Sequence, residues 1–305
     1  MTTSAENTTA QKRTRGSLEL EDDGTLFRVH VSHSGALRTL IENISHVLKA
    51  VELHIIETPE FTGIRIETFD DLKVCLVLGQ LPCQVSSSTT WKKQYNNTIC
   101  LSVEMLLLTL RQVDVQYSVE FEQKLGEEDI VTIRSHESLT GQDELEHNLR
   151  SLVSQNAGQS IKLMDFPVSY SMEIDLTTLR QFLKMCESIK ADDVNIAIET
   201  QPGGGSCVRM AANGEGTMSV KRSFRNLAED GAAAIQDTDG DAAAAPSTIY
   251  SEFFATKFMN SFIRSMNRTN VTFLMAERAP IHVSYPIGVR DASVTFILAP
   301  RQRDD

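Results

Sequence analysis

The chain has 305 residues, 41% of them hydrophobic, and a formal net charge of −12, which is material for two ordinary globular domains. Its apolar runs, such as Met105-Leu106-Leu107-Leu108, are far too short to span a bilayer, and the polar N-terminus lacks the apolar core of a signal peptide, so a secreted or membrane-inserted protein is not expected. The five cysteines (Cys75, Cys83, Cys100, Cys186, Cys207) are scattered without a Cys-x-x-Cys, which argues against a disulfide framework or a zinc site and for reduced thiols in an intracellular compartment.

Residues 1–24 are polar and predicted to be disordered. Within them Lys12-Arg13-Thr14-Arg15 reads equally as a nuclear-import signal, a DNA-touching arm or a solvated tail. The spacing then predicts a helix over Ser34–Lys49, with Leu37, Leu40, Ile41, Ile44, Val47 and Leu48 inward. Strands are predicted at Glu52–Ile56, Gly63–Thr68 and Lys73–Leu78. A short Leu-rich helix, Val103–Val113, leads to strands at Gln116–Glu122 and Ile130–Ser135. Residues 137–159 read as a polar insertion containing a short helix, Asp143–Val153. After a join near 160–169 the same order returns: a strand at Tyr170–Ile174, a helix over Leu176–Ile189, and strands at Val194–Glu199, Cys207–Ala212 and Thr217–Ser223.

Residues 228–247 are low in complexity, dominated by Ala and Asp, and predicted to form a flexible exterior loop. Gly203-Gly204-Gly205 lacks the surroundings of a phosphate cradle. The last helix is predicted over Phe253–Asn267, with Phe254, Phe258, Met259, Phe262, Ile263 and Met266 inward, followed by two or three strands. Four helices separated by alternating strands imply a duplicated α+β domain, 25–165 and 166–305, repeated in pattern rather than in letters.

No catalytic pattern stands out. The seven histidines form no His-x-x-x-His or His-Glu-x-x-His, no Gly-x-Ser-x-Gly elbow is present, and Asp192-Asp193 and Glu127-Glu128-Asp129 read as acidic turns. The chain is therefore not expected to be an enzyme or to need a cofactor. The acidic balance argues against nucleic acid only as a sum, because binding follows local charge. Every predicted helix carries cations away from its apolar face: Arg38 and Lys49 on the first, Arg111 on the second, Arg180, Lys184 and Lys190 on the third, Lys257, Arg264 and Arg268 on the fourth. Ordinary solvated helix faces would look the same.

Four stretches, in order, resemble the sliding DNA clamps of the proliferating cell nuclear antigen family. They are Ala36-Leu37-Arg38-Thr39-Leu40-Ile41-Glu42, like the family's first helix; Phe69-Asp70 with Lys73-Val74-Cys75-Leu76-Val77; Lys162-Leu163-Met164-Asp165, like the opening of its interdomain connector; and Ala279–Tyr285 through Leu298-Ala299-Pro300-Arg301, followed by Asp304 and Asp305. The resemblance implies two similar clamp domains, each with antiparallel sheets and two amphipathic helices on an inner face, closed head to tail into a trimeric ring around duplex DNA.

In that reading the nine helix cations face DNA without reading its sequence. Phe69, Val74, Leu76, Pro280, Leu298, Ala299 and Pro300 form a pocket for partner peptides, and Ile130, Val131, Ile133, Met218 and Val220 lie at the subunit interface. The implied partners are double-stranded DNA, a DNA polymerase, a clamp loader and peptide-motif proteins, in a nucleus or a viral replication site. The chain departs from the family in a short connector after Asp165 and in Lys73, where the family often has His. A subunit of a heterotrimeric checkpoint clamp and a monomeric polymerase accessory protein stay open as alternatives.

Overall fold

The computed structural model describes residues 24–88, 97–137, 143–153, 168–200, 206–215, 218–225 and 247–301. The polar N-terminal tail with its basic cluster, the triglycine, most of the low-complexity segment and Lys162–Asp165 lie outside them.

The first half runs β1 (Thr25–Val31), α1 (Ser34–Ile44), β2 (Ala50–Glu57), β3 (Thr62–Phe69), β4 (Cys75–Pro82), β5 (Gln84–Ser87), β6 (Thr98–Ser102), α2 (Val103–Gln112), β7 (Ser118–Lys124), β8 (Ile130–His136) and β9 (Asp143–Arg150). The second half repeats the pattern: β10 (Tyr170–Asp175), α3 (Leu176–Ser188), β11 (Asp193–Thr200), β12 (Ser206–Asn213), β13 (Ser219–Arg225), β14 (Ser247–Ala255), α4 (Thr256–Arg264), β15 (Asn270–Met275), β16 (Ile281–Pro286) and β17 (Ser293–Leu298). The stretch between the halves is therefore 151–169, and the boundary expected at 165 falls in its undescribed part.

Period-two patterning builds the strands. In β1, Phe27, Val29 and Val31 are buried while Arg28 and His30 alternate outward. Three antiparallel sheets result, in the orders β5-β1-β7-β8-β9, β10-β15-β16-β17-β4-β3-β2-β6 and β13-β12-β11-β14. The second sheet belongs to both halves: β17 pairs with β4, Phe296 opposite Val77 and Leu298 opposite Cys75, so the halves share one continuous hydrogen-bonded layer.

The helices cover these sheets side by side. α1 packs on α2 and α4, and α4 on α3, giving the order α2-α1-α4-α3. In α1, Leu37, Leu40, Ile41 and Ile44 are fully buried at the i, i+3, i+4, i+7 spacing. At the start of α2, Ser102 Oγ accepts from Met105 N at 3.4 Å; at the start of α3, Asp175 accepts from Thr178 N at 2.7 Å. No described helix is long and apolar enough to cross a membrane.

Several elements differ from the sequence reading. α1 stops at Ile44 because Val47 N and Leu48 N both turn back to the Ile44 carbonyl, although both side chains still pack toward the core. The last helix begins at Thr256, not Phe253; Phe253 and Phe254 lie on β14, opposite Asn195 and Val194. Asp143–Arg150 is a strand rather than a helix, paired with β8 from Ile130↔Arg150 to Ser135↔Leu145. The short strands β5 and β6 had no counterpart in the sequence reading. Ile130, Val131 and Ile133 lie on β8, which is paired on both sides by β7 and β9 and has no free edge to offer another subunit. Among the described residues β9 is an edge of that sheet, opposite β5, and β13, with Val220 on it and Met218 just before it, is an edge of the third sheet.

Candidate nucleic-acid and partner interfaces

The helix row presents the cations, but they are not equivalent. Arg38 pairs with Glu42 at 3.1 Å, and Arg111 reaches the same carboxylate at 3.9 Å. The first-half helices are therefore close to neutral on their open face, and α2 exposes Met105 and Leu108 there. Lys49 lies beyond the end of α1 and is held at 2.5 Å by Asp71 of the β3–β4 turn, which raises its pKa through that hydrogen bond. Lys190, in the left-handed region at φ 52°, pairs with Glu215 at 3.3 Å.

Arg180 has a structural task. Its guanidinium reaches from α3 to the C-terminal end of α4, donating from Nε and Nη2 to the Ile263 carbonyl at 3.3 and 3.1 Å and from Nη2 to the Met266 carbonyl. A cation there adds charged donors to carbonyls at the helix end, where Ile263 O already accepts from Ser265 N and Met266 N, and meets the negative end of the helix dipole. Arg180 is thus withdrawn from the set expected to be open to DNA.

Lys184, Lys257, Arg264 and Arg268 remain. All four are exposed and make no ion pair among the described residues. All belong to the second half, on α3, on α4 or just after it. Arg264 also acts on His46 at the end of α1, whose pKa is lowered by burial and then by that positive charge. His46 Nε2 lies 2.7 Å from Ser265 Oγ and joins the two halves at the centre of the row.

The second surface lies across the seam of the eight-stranded sheet. Directly opposed residues share a face, so the pairings Phe69↔Leu76, Leu76↔Ile297, Ile297↔His282 and His282↔Leu274 set five side chains in one row across five strands. Pro280 stands beside its end, where a cavity of about 10 Å³ is lined by Val168, Leu274, Met275, Ala276, Ala279, Pro280 and His282; that holds a water molecule and no more. Burial lowers the pKa of His282.

The turn at the other end is built by Asp70, which is buried. Its Oδ1 accepts from Val74 N at 2.8 Å and Cys75 N at 2.7 Å, and its Oδ2 accepts from Leu72 N at 3.2 Å. This carboxylate stands in for a backbone turn and leaves Leu72 71% exposed. Ala299 N then donates to Val74 O, and Arg301 N to Phe253 O, while Arg301 reaches Asp193 at 2.7 Å, so the chain end is strapped across the seam.

Of the seven residues expected to line a pocket, Phe69, Val74, Pro280, Ala299 and Pro300 are half-buried here. Leu298 is a correction: it is 0% exposed and belongs to the core with Val294 and Phe296. The residue facing away from that core is its neighbour Ile297, itself 7% exposed, and the alternation of Val294, Phe296 and Leu298 contained that signal. Leu76 is buried, yet it faces Ile297 rather than the core cluster. A larger cavity of about 290 Å³ lies over the same seam, between Arg65, Glu67, Leu78, Gln80, Ser293 and Thr295, and contains none of the expected residues. Among the described residues no three His, Cys, Asp or Glu side chains converge to hold a metal.

Neither a protein-family model nor a curated protein sequence matches the chain. The structure is similar to that of PCNA from Thermococcus kodakaraensis, with a TM-score of 0.66 and 14% sequence identity over 90% of this chain and 100% of that one. It is similar as well to proliferating cellular nuclear antigen from Entamoeba histolytica, with a TM-score of 0.63 and 13% identity over 91% and 100%. At such identities the likeness is one of architecture: the chain has the α+β fold of the PCNA sliding clamps.

Proposed function

We propose that the protein is a DNA polymerase processivity clamp: two clamp domains per chain, three chains closed head to tail, duplex DNA inside and partner proteins outside. The observation that supports this most directly is the row α2-α1-α4-α3, a continuous helical layer whose apolar faces are buried on the sheets and whose open face carries unpaired cations. A chain of net charge −12 that keeps Lys184, Lys257, Arg264 and Arg268 exposed on one layer, without an ion pair among the described residues, suits loose phosphate contacts that do not read bases. The strip Phe69, Leu76, Ile297 and His282, flanked by Val74, Pro280, Ala299 and Pro300, is the site for short peptide motifs of the polymerase and other replication and repair proteins. The protein is a topological tether that an ATP-driven loader closes on DNA; it performs no chemistry itself and works where DNA is copied, in a nucleus or a viral replication site.

Light scattering across a dilution series tests the assembly, with three times the 33.9 kDa chain mass expected. Retention on circular duplex after loading, with release on linearisation, tests encirclement. A monomer at all concentrations that binds both DNA forms alike would replace this reading by a non-ring accessory protein. A requirement for other chains would replace it by a heterotrimer subunit.

A further inference from the structure

The C-terminal ends of α1 and α4 meet at the centre of the helical row. His46 lies just past the end of α1 at Ile44, and Ser265 directly follows the end of α4 at Arg264. His46 Nε2 and Ser265 Oγ are 2.7 Å apart. His46 and Arg264 are exposed on the open face of the layer, and Ser265 is half-buried between them.

The charged groups that act on His46 come from both helices. Burial first, and then Arg264 of α4, lower its pKa; Glu42, one turn back on α1, opposes them with a smaller effect. Glu42 is itself drawn to Arg38 at 3.1 Å and to Arg111 at 3.9 Å. The free ring is therefore neutral at neutral pH.

An anion arriving at this junction changes the balance. Two helix C-termini turn the negative ends of their dipoles toward it, so Arg264 alone has both to offset. A phosphate beside Arg264 would cancel the repulsion that Arg264 exerts on an imidazolium and add an attraction of its own. A proton taken from solvent by His46 then supplies a second cation. In the imidazolium both ring nitrogens donate, so Nε2 donates to Ser265 Oγ. The serine hydroxyl hydrogen is turned away from the ring and is available to a phosphate oxygen.

Building on the clamp reading, we infer that His46, Ser265 and Arg264 form a phosphate site at the α1–α4 junction, which duplex DNA fills with uptake of a proton by His46. The helical layer thus holds DNA more firmly as the pH falls. The gain is complete below the pKa of the free ring and is lost as the pH rises through the higher pKa of the DNA-bound ring.

Two measurements on the full chain test this. Linear duplex is titrated by fluorescence anisotropy at low salt, at about pH 8 and about pH 5.5, on either side of the histidine range. Wild-type affinity is expected to rise about three- to tenfold at the acid end. The slope of log affinity against log salt is expected to steepen there by up to about one. His46→Gln, which keeps a partner for Ser265, is expected to lose both changes. In proton NMR the titration midpoint of the His46 Cε1–H signal is expected to move up when duplex is added. A pH dependence that His46→Gln leaves intact, or a His46 midpoint that bound duplex does not raise, overturns this site and leaves the clamp reading standing. A chain that binds no duplex at either pH removes the phosphate-facing layer, and the clamp reading with it.

Discussion

Glu122 lies between two arginines on the outward face of the first sheet, accepting from Arg28 and Arg134 at 2.6 Å each. Its burial works to raise the carboxyl pKa, but these two hydrogen bonds outweigh it and hold the group below its ordinary value. The pair therefore stabilises the fold in full above the ordinary glutamate range, and the contribution is lost as the pH falls through that range and below it. Neighbouring Glu120 has the opposite sign, its pKa raised by burial, so the wild-type acid profile alone mixes the two. Comparison with Glu122→Gln separates them. At pH 7 the variant is expected to be less stable by about 1.5–3 kcal/mol, with the gap between the two denaturation midpoints closing as the pH falls through the ordinary glutamate range and below it. Arg180 gives a second expectation at this scale. Arg180→Ala removes the donors from the Ile263 and Met266 carbonyls and should cost about 1–3 kcal/mol in a denaturant melt. Lys at this position should recover only part of the loss, because a single ammonium cannot span both carbonyls as the planar fork does.

The elements most legible in the sequence were those whose period matched their burial. α1, α2 and α3 and most strands fall within a few residues of where hydrophobic spacing put them. The failures share a cause, which is that pairing partners lay far away in sequence. Asp143–Arg150 looks helical because its Leu, Glu and Arg content outweighs a short alternation of Leu145, His147 and Leu149, and only β8 beside it makes it a strand. Phe254 falls four residues before Phe258 and so continued the helical stripe, although its backbone belongs to the ladder with β11. The same limit affected the sites. Cations could be counted on helix faces, and the i, i+4 spacing of Arg38 and Glu42 was legible, but nothing local showed that Glu42 also reaches Arg111, or that Arg180 is directed at a neighbouring helix end. Gly214 was equally silent. A Cβ there would collide with the Ile189 carbonyl, where the β12–β13 turn crosses the end of α3. Gly214→Ala is expected to cost about 1–3 kcal/mol and to loosen β13 first, seen as faster amide exchange at Val220 and Phe224 than at Val194.

For the whole molecule, the uneven placement of free cations gives a directional expectation. If the helical layer contacts phosphates, the second half does most of the holding. Lys184→Ala with Arg264→Ala should weaken DNA retention and lower the slope of log affinity against log salt by about one for each phosphate contact removed. Arg38→Ala with Arg111→Ala should change it less, since both arginines are drawn to Glu42, whose single charge offsets one of them. Equal losses in both variants would show a symmetric grip.

The seam between β17 and β4 has a mechanical consequence. Because the ladder runs without interruption from β10 through β17 and β4 to β6, and His46 and Ser265 tie the helical layer over it, the described residues offer no hinge between the two halves. Bending the chain there would break main-chain bonds along a whole strand. In the proposed ring each copy should therefore move as a rigid unit, and any gap wide enough to admit a duplex would open between copies, not within one.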